Sequence, residues 1–78
     1  MLPYVAAALA IAELLERGGD RLGAYASLAV GWVTAGDKIG NELAASIFRA
    51  PLEAQRTRWG QAEFDAVKAD YYANRQRS

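Results

Sequence analysis

Glu13 and Glu16 stand three residues apart in a run of strong helix formers, so they share one face of a helix. Paired carboxylates at that spacing are half of a di-metal or acid–base centre, and the other half is missing. The chain has no His and no Cys, which removes the commonest general base, the commonest metal ligands and all thiol chemistry. Ser27 and Ser46 have no base to activate them. The glycines lie in Gly-Asp-basic contexts, without the Lys-Ser/Thr of a phosphate-cradling loop. No Asp-rich loop has calcium spacing. The residues therefore supply no catalytic, cofactor-binding or metal site, and the chain is read as not an enzyme, with no cofactor and no small-molecule substrate. Glu13 is spaced to pair with Arg17, and Glu16 reads as solvation of a helix end.

A second group mixes aromatics with cations: Arg56, Arg58 and Trp59, then Tyr71, Tyr72, Arg75 and Arg77. Such mixtures suit a membrane interface or single-stranded nucleic acid. Glu63, Asp65 and Asp70 are interleaved with them, and nine basic residues cancel nine acidic ones, so a nucleic-acid partner is not expected. Trp59, Arg56, Arg58, Tyr71 and Tyr72 are the candidates for contact with a partner or a membrane interface. The plainer reading of the same stretch is an amphipathic helix packed on its own chain, with Gly60, Phe64, Val67 and Tyr71 forming one apolar stripe and Leu52, Trp59 and the stem of Arg56 a second.

The third pattern is the most informative. Gly19, Gly23, Ser27, Gly31 and Ala35 recur every fourth residue. At ~100° per residue, Gly23, Ser27 and Gly31 fall with Val30 and Thr34 on one smooth side of a helix, and Tyr25, Leu28 and Trp32 lie on the bulky opposite side. Glycine at this spacing sacrifices helix propensity and gains close approach of another backbone, the small-xxx-small logic of helix pairs. Gly23, Ser27, Gly31, Tyr25, Leu28 and Trp32 are therefore the candidate helix–helix interface, met either inside the chain or by other chains. Two or three neighbouring helices from so short a chain would cover one face well and hardly both.

The elements that position these groups are all helical. Pro3 to Arg17 reads as a first helix, stopped by Gly18-Gly19. Gly19-Asp20-Arg21-Leu22-Gly23 is echoed seventeen residues later by Gly36-Asp37-Lys38-Ile39-Gly40, which suggests Gly stops and Asp caps at both places, with one long helix through Gly36 as the alternative. Ala50-Pro51 is the clearest boundary, because the residue before Pro is pushed out of helical geometry. From there one helix of up to about 25 residues is expected, with Gly60 its weak point and Arg49/Glu53 and Asp65/Lys68 spaced as surface ion pairs. Residues 75–78 are expected to fray.

The prediction is an all-α chain of three to four helices, at about 3–17, 21–35, 38–49 and 51–76. They form one unit of 78 residues, with an apolar Ala/Gly-rich part over 1–49 and a charged amphipathic part over 51–78. An elongated or helical-hairpin arrangement is expected rather than a self-sufficient globular bundle. Charge is sparse in front, three basic against five acidic residues over 1–48, and dense behind, six against four over 49–78. The longest uncharged run, Leu22 to Gly36, has 15 residues, short of the ~20 of a spanning helix. No basic residue precedes the apolar stretch from Leu2 to Ala12, so it is not read as a signal peptide.

In composition the chain resembles small phage virion or ejection components and single-helix accessory subunits of membrane complexes. The expected function is a non-catalytic structural or accessory subunit, with protein partners, in a multi-copy assembly or at a membrane rather than free in a cytoplasm. Two alternatives are a soluble helical module that binds through its aromatic and basic C-terminal helix, and a small membrane-permeabilising protein. If the small face meets other chains, Gly31→Leu should break assembly and spare helicity.

Overall fold

The computed structural model describes residues 3–77, as α1 (Pro3–Arg17), α2 (Arg21–Ile39), α3 (Asn41–Trp59) and α4 (Gln61–Arg77). Of the stretch expected to fray, residues 75–77 are helical, and Ser78 lies outside the described residues.

The first stop follows the sequence closely. The Gly19 N–H donates to the Glu16 carbonyl at 3.0 Å and the Asp20 N–H to the Leu15 carbonyl at 2.9 Å, the paired bonds of a Schellman ending. Asp20 then caps α2, its carboxylate accepting from the Gly23 N–H at 2.8 Å.

The next two boundaries fall elsewhere than expected. Gly36 and Asp37 are interior to α2, and the echo of the first motif does not repeat its structure. The turn waits for Gly40, at φ 91° and ψ 155°, and an almost identical joint stands at Gly60, at φ 88° and ψ 152°. This region is open essentially to glycine alone. At each joint the glycine itself keeps both of its helical bonds. The Gly40 N–H still donates to the Gly36 carbonyl at 3.0 Å, and the Gly40 carbonyl already accepts from the Ala44 N–H at 3.1 Å. Gly60 does the same between Arg56 and Phe64.

Pro51 is not a boundary. It lies inside α3, and α3 ends at Trp59. An interior Pro loses one backbone bond and crowds the preceding turn, at a cost of about 3 kcal/mol. Packing on both sides opposes that cost: Ala44 and Phe48 before it and Gln55 after it are buried, and Leu52 packs on the same core. A straight helix keeps these residues on one face, and a break at Pro51 would scatter them.

The core is Val5 and Ala12 of α1, Leu28 and Ala35 of α2, and Ala44 and Phe48 of α3. Tyr4, Leu9, Trp32, Ile39, Ile47 and Leu52 are packed against it. α2 packs against each of the other three helices, and α3 also packs against α4. The chain is compact, with a radius of gyration of 12.1 Å and extents of 30 × 27 × 20 Å. A compact chain of this length has a radius of about 11.5 Å. Division at Gly60 gives the chain a separate α4, so both the small and the bulky sides of α2 find neighbours within it.

Candidate interface surfaces

The small side of α2 lies against α1. A Cβ on Gly31 would stand 2.9 Å from the Ala8 methyl carbon and 2.9 Å from ring carbons of Phe48. The Ser27 hydroxyl donates to the Ala8 carbonyl across the same contact at 2.8 Å. Close approach, the purpose read into this spacing, is thus used between α1, α2 and α3 of one chain. Gly23 serves a different purpose: a Cβ there would collide with the Asp20 carboxylate that caps α2. Gly31→Leu would therefore strike the fold before it could report on assembly.

The bulky side is covered by α3 and α4. Leu28 is buried in the core, and Trp32 packs against it. Tyr25 is buried edge-on to Phe64, with ring centroids 5.6 Å apart, and to Tyr71 at 5.5 Å. Burial pushes the Tyr25 phenol above its ordinary range, and a hydrogen bond with Tyr72 adds to this. Tyr72 stacks edge-on to Tyr71 and remains exposed.

Trp59 and Arg58, expected to reach for a partner, are engaged by Glu16. The indole Nε1 donates to Glu16 Oε2 at 3.0 Å, and Arg58 donates from Nε at 2.7 Å and from a terminal nitrogen at 2.6 Å. Arg21 lies over the Trp59 ring, 5.7 Å from its centroid, and pairs with Glu63 at 2.9 Å. The end of α1, the start of α2, the end of α3 and the start of α4 meet in this clasp. The Arg58 hydrogen bonds hold the Glu16 carboxyl below its ordinary range, with Trp59 adding to them against the opposing effect of burial. Arg56 turns to Glu53 and to Gln61. Glu53 thus pairs with Arg56 and not with Arg49, and Asp65 accepts from Gln61 and not from Lys68. The Glu13–Arg17 pair forms at 3.6 Å on the surface.

Sequence reasoning read Glu16 as solvation of a helix end and missed its partners Arg58 and Trp59, and it passed over Phe48. Glu16 is 42 residues from Arg58, and no local spacing announces such a pair. Phe48 was legible: Ala44, Phe48, Leu52 and Gln55 step through Pro51 at helical spacing.

What the helices leave uncovered is the outer side of α1 and α2. Ile11, Leu14 and Val30 are 47–62 % exposed. Between the two helices runs an apolar groove of about 470 Å³, floored by small residues that include Ala7, Gly23 and Ala26 and flanked by Ile11 and Val30. No charged residue lies on α1 before Glu13 or on α2 between Leu22 and Gly36. No helix among the described residues is long and apolar enough to cross a membrane. Among them no cluster of His, Cys, Asp or Glu could hold a metal ion. Comparison with protein-family models, curated proteins and solved structures found no match to this chain.

Proposed function

We propose that this protein is a non-catalytic subunit of a multi-copy protein assembly, and that it meets other copies through the outer face of α1 and α2. One observation carries the reading: on that face large exposed aliphatics border a small-residue groove, with no charge between them. Ridge and groove on one face are self-complementary, as a two-fold contact between identical chains requires. An exposed apolar patch of this kind marks an interaction surface more often than an accident of composition. The clasp at Glu16 supports the assignment by elimination, since Trp59 and Arg58 spend their polar atoms inside the chain.

The test is sedimentation velocity over a range of concentrations, with Ile11→Asp/Val30→Asp as comparison. Wild type should self-associate, and the double variant should sediment as a monomer with unchanged far-ultraviolet circular dichroism. A wild type that stays monomeric throughout, or floats with liposomes at high salt in the absence of self-association, overturns the proposal.

A further inference from the structure

On the side of the molecule away from α1, four aromatic rings and two cations gather around one open cleft of about 530 Å³. Tyr25 and Trp32 reach it from α2, and Phe64 and Tyr72 from α4. Arg49 of α3 and Lys68 of α4 stand among its lining residues. Among the described residues neither cation has a carboxylate partner. The one acid in the cleft, Glu53, is neutralised by Arg56. The cleft is therefore aromatic and apolar within, and its uncompensated charge is positive.

We infer that this cleft binds a small planar aromatic molecule carrying a single anionic group. The body of such a ligand would lie between the rings, whose faces and edges favour aromatic partners, and its anion would meet Arg49 and Lys68. The volume falls in the range of small-molecule sites, which are largely apolar with a few polar groups that orient the ligand. A nucleic-acid strand fits less well, because a strand needs a basic track that continues beyond one pocket, and along α4 the acids Glu63, Asp65 and Asp70 interrupt any such track. The cleft holds no nucleophile with a base beside it, so the ligand is bound and not transformed. The inference is independent of the assembly face on α1 and α2.

The probe is 8-anilino-1-naphthalenesulfonate, a fused aromatic with one sulfonate, titrated into the folded full-length chain and read by its fluorescence. N-phenyl-1-naphthylamine, which has the same body without the charge, is the control. Saturable binding at one site per chain is expected for both. Arg49→Gln/Lys68→Gln should weaken the sulfonate by about tenfold and leave the neutral analogue unchanged, because only the charge-assisted contacts are lost. Added salt should weaken the sulfonate selectively. Val33→Trp, at the exposed mouth, should block both probes; thermal unfolding and near-ultraviolet circular dichroism establish that each variant is folded. Absence of saturable binding, a sulfonate affinity indifferent to Arg49 and Lys68, or both probes binding unchanged to Val33→Trp overturns the inference.

Discussion

The ring of Phe48 stands where a side chain on residue 31 would be: its Cε1 and Cζ lie 2.9 Å from the position of a Cβ on Gly31. On the other side of the same point is the methyl carbon of Ala8, also at 2.9 Å. α2 thus passes between α1 and α3 at a distance that glycine alone permits. Gly31→Ala should destabilise the chain by ~1–3 kcal/mol through overpacking, in spite of the ~1 kcal/mol that Ala gains in helix propensity. Phe48→Leu makes room, so the double variant should lose less stability than the sum of the singles. Urea unfolding of the four chains measures this coupling, and strict additivity would show that the two residues do not share the space.

Glu16 gives the fold an acid limb. Its folded-state carboxyl is held below the ordinary value of 4.5, first by the Arg58 hydrogen bonds. A carboxylate with a depressed pKa contributes stability that is fully present above its unfolded pKa and is lost as pH falls through the folded value. Glu16→Gln should therefore cost about 1 kcal/mol near neutral pH, a modest figure because Arg58 is half exposed. The difference between wild type and variant should shrink as pH falls below about 4.5. Thermal melts from pH 3 to pH 7 would show it, and a gap that widens in acid would contradict the assignment.

The two glycines of the second Gly-Asp-basic motif, Gly36 and Gly40, should respond oppositely to Ala. Gly36 is helical, and a Cβ there meets only the side chain of Asn41, at 2.7 Å from Oδ1, which can rotate away. Gly36→Ala should be neutral or stabilising by up to ~1 kcal/mol. Gly40→Ala meets no atom within 4 Å, yet φ of 91° is strained for any residue with a Cβ. It should cost ~1–3 kcal/mol, and Gly60→Ala the same. Equal melting temperatures for Gly36→Ala and Gly40→Ala would refute this account of the joints.

Gln55 is 1 % exposed, and its Oε1 accepts no hydrogen bond from any described group. A buried acceptor left without a partner costs about 1–3 kcal/mol. Gln55→Met keeps the length of the side chain and removes the polar atoms, so it should raise stability by about 1 kcal/mol. A loss in denaturant unfolding would mean that the amide is satisfied in solution.

Much of the architecture was present in local residue choice. Pro3, Gly19 and Asp20 dictate the first helix, its stop and the next cap, because each acts on backbone within a turn of itself. The fourfold spacing through Gly31 foretold close approach, and the stripe of Phe64, Val67 and Tyr71 foretold a helix packed on its neighbours; Phe64 and Tyr71 meet Tyr25. These readings rest on periodicity, which survives in the fold because helices are local objects. What tertiary structure alone decided was which of several local signals prevailed. Gly36, Gly40, Pro51 and Gly60 each offered a break, at costs of one to a few kcal/mol, and packing of Phe48 and Leu52 on one face kept α3 continuous through Pro51 while the break went to Gly60. Tertiary structure likewise chose the neighbour of the small face and the partner of Glu16. Contacts between residues some forty positions apart leave no spacing in the sequence, and they form only when the rest of the chain has brought their helices together.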